Sequence, residues 1–136
     1  YVSYAAPQDE AVAVRVSGWL RGQGLQVYLP PAAVTTPDPR VLAGSLAVVV
    51  LLSSAYVARV NANAQSRARL ELIKASEVGR SIDSGSVVVV ALEQTWVDAA
   101  KWKGALGLLL GAAPVVDASK ATAMSSLLAR VLSLAL

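Results

Sequence analysis

The chain has 136 residues, a net charge of +3, and neither cysteine nor histidine. This length suits one domain with a hydrophobic core of its own. The lack of cysteine excludes disulfides, thiolate metal sites and thiol nucleophiles. The lack of histidine excludes a serine–histidine triad, an imidazole base and imidazole metal sites. Any chemistry therefore depends on Asp, Glu, Lys, Tyr, Ser or backbone groups.

Apolar residues make up 55% of the chain and charged residues 15%, which is an apolar excess for a globular domain. The excess indicates surface buried against sister copies or against the rest of a longer polypeptide, and we interpret residues 1–136 as one domain cut from a longer chain. No apolar run reaches the roughly 18–20 residues of a membrane-spanning helix, so no span is predicted. The small net charge predicts no nucleic-acid partner, and the lack of cysteine is compatible with a cytoplasmic protein.

The first third of the chain predicts a strand, a helix, a second strand and a loop. An apolar stripe at helical spacing predicts an amphipathic helix over Asp9–Arg21, after a short strand at Tyr1–Tyr4. Alternation predicts the second strand at Leu25–Leu29. Its end is set by prolines, and Pro30–Pro39 is predicted as loop, followed by a short helix over Pro39–Ala43.

The run Leu46–Leu52 is the predicted centre of the fold. A continuous apolar run bounded by small polar residues is typical of a strand buried on both faces in a parallel sheet. Ligands collect at the carboxyl ends of such strands, and this end delivers Ser53, Ser54 and Tyr56.

The remaining elements follow the same alternation. The pattern predicts a helix ending near Glu77, a turn at Ser81–Ser86 and a strand at Val87–Leu92. A helical connection follows through Trp96, Trp102 and Ala105–Leu110, and then a short strand at Ala113–Val116. The last helix is predicted to be capped by Asp117–Ser119 and to carry an apolar stripe of Met124, Leu127, Leu128, Val131 and Leu134. Five strands alternating with helices predict an α/β fold: a flavodoxin-like parallel sheet of order 2-1-3-4-5 with helices on both faces.

Common nucleotide-binding signatures are missing. The pair Gly22 and Gly24 precedes a strand rather than a helix, so it cannot present amides to a pyrophosphate. A phosphoacceptor receiver domain needs Asp at the end of its third strand to carry the phosphoryl group. This chain has Ser53 and Ser54 there, so it does not fit that class.

Several segments, in order and spacing, do resemble one family. These segments are Val2-Ser3-Tyr4, Leu20 to Tyr28 with its glycines, Val48 to Tyr56 with its Leu-Ser and Tyr, and Leu70-Glu71-Leu72-Ile73-Lys74-Ala75. In them the chain is similar to TIR (Toll/interleukin-1 receptor) domains, which serve innate-immune signalling. The resemblance covers nearly the whole chain.

The resemblance implies a candidate site. In TIR domains that cleave NAD the glutamate of the third-helix motif is catalytic, and it corresponds to Glu71. Loss of neutral nicotinamide needs no general acid, only a negative charge near the ribose that stabilises the developing cation. Tyr4, Ser53 and Tyr56 are then candidate contacts for NAD, which would be a substrate rather than a cofactor. No metal is implied.

Alternative roles for these residues remain open. In the alternative interpretation Glu71 is a helix-surface acid paired with Arg67 or Lys74, the tyrosines are half-buried packing residues, and Ser53 is a helix cap. Position 67 is Arg, where NAD-cleaving members often carry Trp.

Two main hypotheses follow. The first is a TIR-type domain that self-associates and cleaves NAD to nicotinamide and an ADP-ribose product, with Glu71 stabilising the ribosyl cation. The second is a catalytically silent signalling adaptor that recruits other TIR domains through Pro30–Pro39 and neighbouring helix faces. An unrelated flavodoxin-like domain, with or without a bound nucleotide, is a third.

Overall fold

The computed structural model describes residues 1–77, 87–111 and 113–133. This part of the chain is an α/β fold with a four-stranded parallel sheet in the order β1-β2-β3-β4. The strands are β1 (Val2–Ser3), β2 (Val48–Leu52), β3 (Val87–Ala91) and β4 (Val115–Asp117).

Helices alternate with the strands, which confirms the general prediction of a parallel sheet covered by helices. The α-helices are α1 (Glu10–Gly22), α2 (Pro39–Gly44), α3 (Ser54–Ala62), α4 (Arg67–Glu77), α5 (Gly104–Leu110) and α6 (Ala123–Ser133), and short 3-10 turns cover Gln94–Val97 and Ala99–Lys101.

The strands β2 and β3 form the middle of the sheet and are buried along their whole length. Valine suits these positions because its branched side chain packs well on a pleated surface. The central strand is confirmed, but it begins at Val48. Leu46, which was predicted as its first residue, is 51% exposed.

Two hydrophobic cores lie on opposite faces of the sheet. Alternate residues of β2 enter one core with α3, α4 and α5, or the other core with α1 and α6. Tyr1 belongs to the first core and Val2 to the second, so β1 alternates in the same way. The side chains of Tyr1 and Ser3 therefore face α3 and α4, where the candidate site lies.

The second strand predicted at Leu25–Leu29 is not formed as a strand. A backbone hydrogen bond from Val2 N to Tyr28 O, 3.0 Å long, holds the segment beside β1, but two neighbouring groups bond elsewhere. Leu25 N donates to Leu20 O at 3.3 Å, and the Val27 carbonyl accepts from Arg21 Nη2 at 2.9 Å. With β1 only two residues long, the segment lacks a partner for a full ladder.

One helix, α3, is absent from the prediction, and the last helix begins later than predicted. Helix α3 begins at Ser54, in a stretch whose pattern is weak, because Ser53 caps it: Tyr56 N donates to Ser53 Oγ at 3.1 Å. The last helix begins at Ala123 because Asp117 closes a turn instead, accepting from Ser119 N at 2.9 Å. The predicted turn at 81–86 and the last stripe residue at position 134 lie outside the described residues.

No helix in the described ranges is long and apolar enough to cross a membrane. The same ranges contain no cluster of three or more acidic residues that could hold a metal ion.

Helix α5 offers a direct test of the core. Leu106 is 0% exposed and Leu108 is 86% exposed. We expect Leu106→Ala to lower the free energy of unfolding by about 2–5 kcal/mol, because it leaves a cavity against α3. The matched control Leu108→Ala should change it by less than about 0.5 kcal/mol. Urea unfolding curves measure both, and equal effects of the two variants would contradict this packing.

Candidate functional site

Glu71 is the central residue of the candidate site, and its side chain is completely buried, with 0% exposure. Its two carboxylate oxygens receive hydrogen bonds from Ser3 of β1 and from Tyr1, the residue before β1. The Tyr1 hydroxyl donates to Oε2, and Ser3 Oγ donates to Oε1 at 2.8 Å. Both oxygens are thus engaged by groups of the protein itself.

Tyr56 extends this arrangement into a continuous polar cluster. Its hydroxyl lies 2.7 Å from Ser3 Oγ, and its side chain is also 0% exposed. We refer to Tyr1, Ser3, Tyr56 and Glu71 as the Glu71 cluster. It joins β1, α3 and α4 inside an otherwise apolar core, as buried polar groups must be paired to be tolerated.

Local structure explains why these residues meet. Tyr1 and Ser3 share a face of β1 because side chains of a strand alternate. Tyr56 stands in the first turn of α3, directly after the central strand. Glu71 lies near the middle of α4, whose apolar neighbours Ala68, Leu72 and Ala75 face the same core.

Arg67 lies one helical turn before Glu71 and is also buried, at 7% exposure. Its Nε is 3.9 Å from Glu71 Oε2, a distance that permits charge attraction but exceeds a hydrogen bond. Its Nη1 donates to the carbonyls of Pro31, at 2.7 Å, and Val34, at 2.9 Å. The pairing of Glu71 with Arg67 is therefore present, but it is buried rather than on the helix surface.

Tyr4 supports Arg67 from the other side. Its ring lies below the guanidinium, with Cζ 4.8 Å from the ring centroid, and its hydroxyl donates to the Pro30 carbonyl at 2.7 Å. Tyr4 and Arg67 together hold the loop after residue 29 against α4.

Burial controls the ionisation of the cluster. Desolvation raises the pKa of Glu71 to about 7, although the hydrogen bonds from Tyr1 and Ser3 and the charge of Arg67 act in the opposite direction. The pKa values of Tyr1 and Tyr56 are raised as well, first by burial and then by the Glu71 charge. Glu71 is therefore the member of this cluster whose charge changes near neutral pH.

Ser53 does not join the cluster. Its oxygen caps α3 and donates to Asp9 Oδ2, so the interpretation of this serine as a helix cap is confirmed. Its neighbour Ser54 donates from its backbone N to the exposed carboxylate of Glu93 at 3.1 Å, and these bonds from Ser54 lower the pKa of Glu93. This second polar group lies farther along the carboxyl edge of the sheet.

A cavity of about 270 Å³ lies beside Arg67. Tyr4 and Arg67 form part of its wall, whereas Glu71 does not. Two larger cavities, of about 590 and 520 Å³, also have no wall contribution from Glu71. The carboxylate is thus separated from the described cavities in this conformation.

Sequence reasoning identified Glu71, Tyr4 and Tyr56 but missed Tyr1 and Ser3 as the partners of the carboxylate. The alternation of β1 was a signal for them, since it puts both hydroxyls on one face. The alternation does not predict, however, which helix covers the face of Tyr1 and Ser3.

Comparison with protein-family models, with curated proteins and with solved structures gives no match to this chain. The TIR resemblance therefore remains a prediction that rests on the residues quoted above.

The raised pKa of Glu71 makes stability depend on pH. Between its ordinary value of 4.5 and about 7, the folded chain keeps a proton that the unfolded chain releases. The contribution of this proton to the free energy of unfolding is therefore complete below pH 4.5 and is lost as pH rises through 7. The total loss is about 3 kcal/mol.

We expect Glu71→Gln to flatten the fall in unfolding free energy between pH 5 and 8, because the amide does not titrate. Urea unfolding at a series of pH values measures it, and Glu93→Gln, which alters an exposed carboxylate, is the control. An unchanged slope in Glu71→Gln would show that Glu71 does not hold the proton.

Proposed function

We propose that this chain is a TIR-type domain that acts by associating with copies of itself or with other TIR domains, without cleaving NAD in the conformation described above. The observation that carries the proposal is the complete burial of Glu71, with its two oxygens bonded to the hydroxyl groups of Tyr1 and Ser3. We also propose that the segment at 25–29 takes the place of an edge strand, giving the five-stranded order 2-1-3-4-5, because its bond from Val2 to Tyr28 lies on the free side of β1.

The chemistry of NAD cleavage explains why burial favours the silent role. The carboxylate must stand beside the ribose where positive charge develops. Glu71 instead stands beside a guanidinium, 3.9 Å away, and a fixed positive charge there would oppose a second one on the sugar. The presence of Arg at position 67, where NAD-cleaving TIR domains often carry Trp, also favours the silent role.

The loop after residue 29 is the best candidate for the association surface. Most of its residues from 31 to 39 are exposed, and Arg67 and Tyr4 fix its start through backbone carbonyls. Val34 presents an apolar side chain that is 38% exposed. A loop held by its backbone leaves such side chains available to a partner.

NAD cleavage by self-associated copies is the second candidate, and one observation favours it. Arg67 contacts Glu71 and also forms part of the 270 Å³ cavity wall. Release of its Nη1 from Pro31 and Val34 would allow Arg67 to move and would connect the carboxylate with that cavity.

Loss of NAD separates the two candidates. We expect concentrated, purified chain to leave NAD intact, because the carboxylate is enclosed, as judged by chromatographic measurement of nicotinamide. The silent role fails if nicotinamide is released and the release disappears in Glu71→Gln but persists in the control Glu93→Gln.

Association is tested at the exposed loop. We expect the chain to sediment as a concentration-dependent oligomer, and Val34→Asp to shift it toward monomer, because a charge would be buried in the contact. Val14→Asp, on α1 and 54% exposed in the free chain, is the matched control. A wild-type chain that stays monomeric and captures no TIR domain would exclude this function.

A further inference from the structure

Arg67 carries two hydrogen-bond donors that the protein does not use. In the part of the chain that is described, Nε and Nη2 are both buried and neither has a hydrogen-bond partner. Buried donors without acceptors are rare because each loses its bonds to water. Arg67 is thus paired at Nη1 only, which leaves the Nε and Nη2 edge of its guanidinium unsatisfied.

This edge is the one that binds oxyanions. The N–H groups of Nε and Nη2 point in parallel, and that fork matches two oxygens of a carboxylate or phosphate. Glu71 does not fill this role, since its nearer oxygen is 3.9 Å from Nε and both of its oxygens accept from β1.

The 270 Å³ cavity beside Arg67 has a basic and polar wall. Its wall contains two arginines, Arg59 and Arg67, the polar side chains of Thr35, Asn63 and Gln65, and no acidic residue. Asn63 Oδ1 accepts from Gln65 N at 3.0 Å, so the Asn63 side-chain amide nitrogen remains as a donor. The volume of this cavity is below the roughly 300–1,000 Å³ of sites for drug-sized ligands, which favours a small ligand.

We propose that this cavity binds a small oxyanion, a phosphate or carboxylate group, through the Nε and Nη2 edge of Arg67, with Arg59 and Asn63 at its rim. Nε and Nη2 are both closed to solvent, and Nη1 faces the loop carbonyls of Pro31 and Val34. Binding therefore requires the Arg67 side chain to turn its Nε and Nη2 edge into the cavity. The site requires neither TIR membership nor NAD cleavage, so it stands or falls separately from the proposed function.

The neighbouring carboxylate gives the site a distinctive property. A negative Glu71 beside Nε repels a second anion on the same edge. Glu71→Gln keeps the shape of the side chain and removes this charge. At pH 8, above the Glu71 pKa of about 7, where most of Glu71 carries its charge, the variant should therefore tighten anion binding by at least about threefold, an effect that a purely structural Arg67 would not produce.

The test is a nuclear magnetic resonance titration of the full chain with inorganic phosphate and, separately, with succinate, against sodium chloride at equal ionic strength. We expect saturable amide shifts at residues 32–35 and 63–68 with at least one of the two anions, and the anion that binds more tightly identifies the chemical source. Shifts that do not saturate, or that match those in chloride, overturn the proposal.

Variants complete the test. Arg67→Met should weaken binding by at least about tenfold, because it removes the charged fork, and Arg69→Met, on the same helix but outside the cavity wall, should leave it within about twofold. If Arg67→Met does not fold, Arg59→Met at the rim must weaken binding while Arg69→Met does not. Equal affinity of the Arg67 or Arg59 variant and wild type, or no tightening in Glu71→Gln, would also refute the site.

Discussion

The contact between Glu71 and the hydroxyl groups of Tyr1 and Ser3 is the constraint on which the arrangement of this fold depends. A carboxylate inside a hydrophobic core is tolerated only if its oxygens are bonded. Tyr1 and Ser3 satisfy this condition, and Tyr56 connects α3 to the same group. A short strand of two residues, too weak to define its own position by ladder bonds, is thereby fixed under α4. The polar cluster thus adds side-chain contacts to the backbone pairing that holds β1 beside β2.

Arg67 lies on the same face of α4 as Glu71, one helical turn before it. Its side chain is buried, yet two of its nitrogens lack hydrogen bonds within the described protein, and its remaining bonds hold the loop that follows residue 29. One residue thus combines three properties: it attracts the Glu71 charge, anchors a loop that is otherwise exposed, and borders a basic cavity. Whether the domain is an enzyme, an adaptor or a binder of small anions depends largely on which of these contacts can be exchanged.

The sequence predicted the regular parts of this fold well, because solid valine runs and helical stripes reflect burial directly. It failed at Leu25–Leu29, where alternation is real but the neighbouring strand is too short to supply a ladder, and at α3, where a serine cap rather than an apolar stripe sets the start. For the site, the family resemblance identified Glu71, but its complete burial could not be predicted. Burial of a charge depends on partners distant in sequence, here Tyr1 and Ser3, and no local pattern records which helix covers them.

The sheet described here contains only parallel pairs, and this has a consequence for how the chain folds. Each pairing, such as Val2 with Val49 or Val48 with Val87, joins residues separated by a complete crossover. No hairpin is present among the described strands to start the sheet, so the entropy of closing long loops is lost before any ladder bond forms. Chains with such distant contacts fold slowly. Until then, the valine-rich segments of β2 and β3 are exposed as unpaired, aggregation-prone strands.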